Sequence, residues 1–508
     1  MSMRDPGRVT MRRLNQTEYD NTVRDLLGTS LQPARIFISD SQATGFDNNG
    51  DLLGLSPVRV EQYQLAAETL ATDALSGPLR ARNLSCDPAS GDPCVRTLLT
   101  TLGERAFRRP LSEDEIARFL QLAGKVRLAG GSPDDVVRAV LQALLMSPNF
   151  LFRAEYDLHP ASLTPHLLGP YEVASRLSYL VYGSMPDEAL LAAARNGKLG
   201  TAADVQSQLQ RMLSDPKERF SQTFVEQWLG IRAVDTLQPD VRLFPNFNAA
   251  LGASMKREAG LLFDEFIRRN LPVEQLLTAN FTYLDVGLAK HYGLPEQGTD
   301  TEPVRVELTT SQRGGLLSMA AFLTATSRGN RTSPVERGRF VLDVLMCAPP
   351  PPPPSDVAMT PEEQITALSE REFLAVHRRN PTCAACHNLM DPIGLALENY
   401  DATGAWRDTD HGQKIDPSGV LPNGIAVSGP RDLSAALARD ERLLSCLASG
   451  LLTYALGRSL LPSDNTYVEE LAKGPRGASV GLRDMLIGIV SSEPFRMRRG
   501  EVASVGGQ

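Results

Sequence analysis

The chain has 508 residues, of which 42% are hydrophobic and 22% are charged, and its formal net charge is −8. This composition is typical of a globular protein rather than a disordered one, and the length suggests roughly three to four domains. The modest negative charge argues against nucleic-acid binding as the main role. No apolar run approaches the roughly 18 residues that a transmembrane segment needs.

Apolar residues recur at helical spacing along most of the sequence, which predicts a mainly α protein. Ser112 and Glu115 form a capping box that predicts a helix start, and Gly28 is suited to end the first helix. Strand signals are few, although residues 304–308 alternate and 414–427 contain turn residues typical of a small β-hairpin. The predicted helices span 19–27, 58–75, 95–107, 112–128, 136–146, 171–182, 187–196, 203–213, 218–229, 255–269 and 313–324.

Prolines divide the chain into modules. Six consecutive prolines at 349–354 predict an extended polyproline II segment, which serves as a stiff spacer or as a strap over the surface. Three further prolines interrupt the helices near 158–170 and indicate a softer boundary. We expect an N-terminal helical module at 8–75, a second at 86–158, a large helical domain at 168–330, a proline-strap module at 331–430 and a C-terminal helical module at 431–500.

Residues 383–387 read Cys-Ala-Ala-Cys-His, the C-x-x-C-H spacing of covalent haem c attachment. Two thiols three positions apart on a helix can each add to a haem vinyl group, and the adjacent His387 then becomes the proximal iron ligand. The alternatives are a buried cysteine pair, a redox disulfide and half of a zinc site. Zinc is disfavoured because no second C-x-x-C occurs in the sequence. We therefore expect one covalent haem c, held by Cys383, Cys386 and His387.

The sixth ligand of the iron decides its chemistry, because a Met or His gives an electron carrier whereas an open position allows oxygen or peroxide chemistry. Between residues 388 and 484 the sequence contains one methionine, Met390, which follows His387 by one turn. A conventionally spaced distal Met is therefore missing, and we expect a His or a weakly held ligand. The other candidates are His291, His377, His411, Met485 and Met497. Arg407, next to Trp406, either pairs with a haem propionate or stacks on the indole.

The other four cysteines favour an oxidising compartment. Cys86 and Cys94 bracket a short polar loop that a disulfide can close, while Cys347 and Cys446 either pair with each other or stay as free core thiols. Residues 1–6 hold no apolar signal segment. Because haem c is attached outside the cytoplasm, we expect a periplasmic or extracellular protein whose export signal is missing from this sequence.

Short motifs along nearly the whole chain carry a resemblance to a known family. They lie at 12–28, 45–49, 106–111, 175–180, 288–293, 331–334, 377–406, 454–458 and 492–495. The chain resembles the multidomain cytochrome c-like proteins of planctomycetes and myxobacteria, which are built from consecutive domains of unknown function. This resemblance implies an exported cytochrome-like protein but no particular reaction.

We therefore expect a multidomain helical body with a C-terminal cytochrome c-like haem module and a small β-hairpin element. The favoured function is electron transfer, with an unidentified redox partner, or the redox part of an oxidoreductase. One alternative is a non-catalytic binding or scaffold protein with a structural or sensory haem. Another is a peroxidase-like enzyme with an open iron site, which the single haem motif disfavours.

Overall fold

The computed structural model describes residues 4–9, 11–41, 45–157, 159–215, 219–299, 301–352, 369–474 and 479–500. In these ranges α-helices predominate, and the β-structure consists of short antiparallel pairs, which confirms the predicted mainly α class. The chain forms two compact units. The first comprises Met1–Phe220, Leu451–Tyr467 and Ile487–Gln508, and the second comprises Ser221–Gly450 and Val468–Leu486.

Local capping residues set the helix ends of the N-terminal part. The Ser112 side chain accepts a hydrogen bond from the Glu115 N–H, and the Glu115 carboxylate accepts one from the Ser112 N–H, so the predicted capping box is confirmed. Gly28 ends the first helix with a φ of 76°, a left-handed conformation that glycine adopts without strain. The helices are α1 (Gln16–Leu27), α2 (Pro57–Ala74), α3 (Gly77–Asn83), α4 (Asp92–Leu98), α5 (Glu104–Phe107), α6 (Glu113–Leu128), α7 (Pro133–Met146), α8 (Pro148–Leu151), α9 (Pro170–Val181), α10 (Glu188–Arg195) and α11 (Ala202–Leu213).

One hydrophobic core holds the N-terminal helices together. The apolar faces of α1, α2 and α7 meet in it, and Tyr19 packs there against the rings of Phe37, Tyr63 and Phe150 at centroid distances of 5.3–6.0 Å. The predicted helix 95–107 is instead interrupted, because a π-helical turn at Leu99–Gly103 separates α4 from α5. Helical periodicity alone does not distinguish a π turn from a continuous helix.

The remaining helices continue through the second unit and the C-terminal part of the chain. They are α12 (Glu226–Trp228), α13 (Ala249–Arg269), α14 (Gln275–Thr278), α15 (Val286–His291), α16 (Ala320–Ala325), α17 (Pro334–Phe340), α18 (Glu370–His377), α19 (Pro381–Leu395), α20 (Pro430–Leu437), α21 (Arg442–Leu456), α22 (Asn465–Lys473), α23 (Leu482–Ser491) and α24 (Glu493–Arg496). Further π-helical turns lie at Ser221–Val225 and Val341–Leu345, and 3₁₀ turns at Pro33–Ile36, Pro88–Ser90, Ile231–Asp235, Leu316–Ser318 and Pro462–Asp464.

The strands form isolated antiparallel pairs rather than a continuous sheet. The predicted strand at 304–308 pairs with a strand that sequence patterning did not reveal, and the predicted hairpin at 414–427 is present, with a second short pair preceding it. The pairs are β1 (Arg12–Arg13) with β2 (Phe152–Arg153), β3 (His166–Leu167) with β10 (Met497–Arg498), β4 (Phe281–Leu284) with β5 (Val304–Glu307), β6 (Thr409–Asp410) with β7 (Gln413–Lys414) and β8 (Ser418–Val420) with β9 (Ala426–Ser428).

Two glycines set the close crossing of α17 and α19, the helix that carries the C-x-x-C-H motif. A Cβ at Gly338 would overlap the Met390 carbonyl oxygen, and one at Gly394 would overlap the Pro334 carbonyl oxygen. The absence of a side chain at both positions therefore allows the two backbones to touch. This crossing fixes the position of α19 within the second unit.

The predicted disulfide Cys86–Cys94 is present, and Cys347 and Cys446, for which pairing and free thiols were both open, form a second disulfide. Two disulfides are typical of proteins outside the cytoplasm.

Of the predicted proline run, residues 349–352 form neither helix nor strand. Residues 353 and 354 lie outside the described part of the chain. The same holds for the predicted boundary at 158 and the predicted helix start at 218. Among the helices of the described ranges, none is both long and apolar enough to span a bilayer.

Candidate functional site

The C-x-x-C-H motif lies on the first two turns of α19. Pro381 occupies the first turn, where its missing N–H costs nothing, and the Asn380 side chain caps the helix by accepting the Thr382 N–H at 3.0 Å. Residues separated by three or four positions share a helix face, so the local fold places Cys383, Cys386 and His387 side by side. Cys383 is buried, Cys386 is half-buried, and both are free thiols.

A buried carboxylate holds the imidazole of His387. Its Nδ1 lies 2.9 Å from Asp391 Oδ1, and because a carboxylate only accepts, Nδ1 carries the proton. The Nε2 atom therefore keeps its lone pair, which is the arrangement of metal-binding histidines whose other nitrogen is held by a carboxylate. Asp391 is fully buried, with the Arg378 guanidinium 3.5 Å from its other oxygen. Asp391 is a candidate functional residue that the motif alone does not reveal, although its position four residues after His387 on a helix is a usable signal.

Cys383, Cys386 and His387 border a cavity of about 580 Å³ in the second unit. Its volume is in the range of small-molecule and cofactor sites. The described part of the proline run, residues 349–352, forms one wall, and the Cys386 Sγ lies 3.7 Å from the Pro351 carbonyl oxygen. The other lining residues are Val335, Glu336, Arg339, Asp343, His377, Thr382, Cys383, His387 and Met390.

The candidate sixth ligands separate into two groups. His377 and Met390 line the cavity, and the His377 ring meets the His387 ring edge-to-face at a centroid distance of 4.6 Å. Burial and the neighbouring His387 lower the pKa of His377. The structure places the others elsewhere: His291 donates from Nε2 to the Thr403 carbonyl, His411 is exposed beside Asp410, and Met485 is buried in α23. Met497 lies in β10.

Arg407 is bound by two carboxylates rather than directed into the cavity. Its guanidinium donates to Glu398 Oε2 at 2.7 Å and to Asp410 Oδ1 at 2.9 Å. Glu398 also pairs with the fully buried Arg337 at 3.4 Å. The structure therefore places Arg407 in an ion-pair network next to α19. These ion pairs account for its position, and Arg407 does not line the cavity.

The residues at the cavity fit a covalently attached haem. Two reduced thiols, an imidazole with an available Nε2 and a partly apolar cavity are the groups that such a cofactor requires. Within the described ranges, no group of three or more His, Cys, Asp or Glu side chains is arranged to hold a bare metal ion.

Five family models match consecutive segments of the chain, and each is described as a protein of unknown function. They are DUF1587 at 12–76, DUF1595 at 94–155, DUF1592 at 168–294, DUF1588 at 313–410 and DUF1585 at 423–495. The predicted series of consecutive domains of unknown function is thus confirmed, and the cavity residues fall within the DUF1588 match. No curated protein and no solved structure matches the chain.

Proposed function

We propose that this chain is an exported c-type haem protein, in which Cys383 and Cys386 would be the covalent attachment points and His387 would bind the iron. Each S–H would add across a vinyl C=C, forming one C–S bond and placing the hydrogen on the neighbouring carbon, so that neither an oxidant nor a leaving group would be required. The observation that carries the proposal is the hydrogen bond from His387 Nδ1 to the buried Asp391. It leaves Nε2 free on the same face as two reduced thiols.

The chain's own residues then have distinct roles. Asp391 orients the imidazole and raises its basicity toward the iron. The prolines at 349–352 and Val335 form part of the cavity wall and would limit the contact of a bound haem with water, and solvent exposure helps to set the reduction potential of a haem. When bound, the haem supplies one-electron chemistry. We therefore propose electron transfer, alone or within an oxidoreductase, as the function.

Covalent attachment is tested on the full chain, exported with a haem-maturation system and run on a denaturing gel stained for haem. We expect a stained band at full length, and we expect it to be lost in the Cys383→Ala/Cys386→Ala variant. The matched control is Cys86→Ala/Cys94→Ala, which removes the same number of cysteines from the first unit and should keep the stain. A wild-type chain without stain, or a stained double variant at 383 and 386, would contradict the proposal.

The sixth ligand is tested by absorption spectroscopy of the matured protein. We propose His377, because it lines the cavity and comes from a different helix than His387. The two rings now touch at a centroid distance of 4.6 Å, so the His377 side chain would have to turn away from His387 for both to bind one iron. The ferric protein should lack the Met–iron band at about 695 nm. His377→Ala should increase carbon monoxide binding to the ferrous form, whereas Met390→Ala should not. A band at that wavelength that disappears in Met390→Ala would assign the ligand to Met390 instead.

A further inference from the structure

A second cavity, of about 720 Å³, lies in the second unit and shares no lining residue with the first. Its walls come from the loop at 243–248, the start of α13, the end of α15 and the loop at 401–405. The volume is in the range that holds a small-molecule ligand. Neither the haem proposal nor the family models assign a role to this cavity.

Of the four ionisable residues that line this cavity, three offer hydrogen-bond acceptor atoms, namely Asp285, His291 and Asp401. His291 donates from Nε2 to the Thr403 carbonyl at 2.8 Å, so its Nδ1 keeps a lone pair, and burial lowers its pKa and favours the neutral ring. One oxygen of Asp401 accepts the N–H groups of Thr403 and Ala405 at 2.8 and 3.0 Å. The second carboxylate oxygen of Asp401, Oδ2, is not used in these bonds to Thr403 and Ala405. Asp285 is buried and caps α15 through one oxygen in the same way.

The loop at 243–248 adds aromatic surface to the cavity. Phe244 and Phe247 both line it and are both half-buried. The loop is held by backbone bonds, from Phe244 N–H to the Asp240 carbonyl at 2.8 Å and from Phe247 N–H to the Phe244 carbonyl at 3.1 Å. Asn248 then caps α13, with its side chain accepting from Leu251 N–H. The rings are thus presented by an ordered turn, and such rings pack well against C–H faces of a ligand.

A buried network supports the cavity from behind. Tyr292, adjacent to His291, donates to the fully buried Glu258 at 2.5 Å, and Thr282 donates to the other Glu258 oxygen at 2.6 Å. The Arg313 guanidinium stacks 3.8 Å above the Tyr292 ring and donates to the Gly404 carbonyl. Burial raises the pKa of Glu258 to about 7. The helix end at His291 and the loop at 401–405 are therefore fixed relative to each other, which preorganises the acceptors.

We propose that this cavity binds a neutral polyhydroxylated ligand of mono- or disaccharide size. Hydroxyl groups donate to Asp285, Asp401 and His291, while the C–H face of a sugar ring packs on Phe247. Lys290, exposed at the rim, supplies a donor for hydroxyl or ring oxygens. An anionic ligand is disfavoured because the two carboxylates repel it. A cation could stack on the aromatic rings, but the Lys290 ammonium at the rim repels it and its hydrogen-bond donor capacity would be unused.

The test is calorimetric titration of the full chain with glucose, cellobiose and maltose as neutral probes, glucuronate as the anionic probe and tetramethylammonium as the cationic probe. We expect at least one neutral sugar to bind and glucuronate to bind at least about tenfold more weakly than glucose, a difference of 1.4 kcal/mol. Absence of sugar binding up to about 10 mM, or binding of tetramethylammonium alone, would overturn the proposal.

Variants locate the binding site within the cavity. Phe247→Ala, Lys290→Ala and Asp401→Asn should each weaken sugar binding by about tenfold. Lys290 is exposed, so its replacement keeps the fold. Val241→Ala is the matched control, because Val241 is 72% exposed, lies just before the same loop and does not line the cavity. Equal effects of the control and the three variants would contradict the assignment. Cys383→Ala/Cys386→Ala should leave binding unchanged, so this result is independent of the haem.

Discussion

Replacing Arg337 with alanine is expected to lower the free energy of unfolding by about 3–5 kcal/mol. Arg337 is fully buried in α17, and its guanidinium donates to the carbonyls of Leu397, Tyr400 and Asp401 at 2.8–3.0 Å. Burial lowers its pKa to about 10, so it still carries its charge at neutral pH. The alanine variant would leave these buried carbonyls without this donor, and the buried Glu398 carboxylate would lose one of its two guanidinium partners, keeping Arg407.

Arg339 provides the matched control for this prediction. It lies on the same helix, but its side chain is 58% exposed. Surface charges of this kind contribute within about 0.5 kcal/mol, so Arg339→Ala should unfold at nearly the wild-type urea concentration. If Arg337→Ala and Arg339→Ala show the same midpoint in urea, the network around Arg337 does not stabilise the second unit as described.

Removal of the Cys347–Cys446 disulfide is expected to cost about 4–5 kcal/mol of unfolding free energy. The bond joins residues separated by 99 positions, and a cross-link that closes so long a loop removes much of the conformational entropy of the unfolded chain. The measurement is urea unfolding of Cys347→Ser/Cys446→Ser against the wild type, with both proteins fully oxidised.

The second disulfide supplies an internal comparison. Cys86 and Cys94 are only 8 positions apart, so Cys86→Ser/Cys94→Ser should lose about 2–3 kcal/mol, less than the long-range pair. A larger loss for the short loop than for the long one would contradict the loop-entropy explanation. Under oxidising conditions, which keep the remaining disulfide closed, the refolding yield should be lower for Cys347→Ser/Cys446→Ser than for Cys86→Ser/Cys94→Ser.

Local sequence signals predicted the parts of the fold that local interactions determine. The capping box at Ser112 and the glycine at position 28 gave helix ends because both act within one turn. The pairing of β4 with β5, the π turn that divides the predicted helix 95–107 and the α17–α19 crossing were not predictable. The strand pairing and the crossing depend on contacts between residues that are distant in the sequence, such as Gly394 against Pro334. The π turn was not predictable because helical periodicity does not distinguish it from a continuous helix.

The candidate site divides in the same way. The spacing of Cys383, Cys386 and His387 was sufficient to place them on one helix face, because a helix was expected there. By contrast, His291 was a candidate iron ligand, and the structure places it beside Thr403, 112 positions further along the chain. A single histidine gives no sequence signal about its tertiary neighbours. The position of Arg407 was not predictable for the same reason, because its partner Glu398 lies in a turn whose geometry the sequence does not indicate.

The most direct test of haem attachment is the mass of the peptide that contains the motif. Matured full-length protein would be digested with trypsin, which cuts after Arg379 and Arg407 and releases residues 380–407. We predict that this peptide carries the added mass of one intact haem, that the addition survives denaturation, and that fragmentation places it on Cys383 and Cys386. An unmodified peptide, or one with an internal disulfide between these two cysteines, would contradict the proposal.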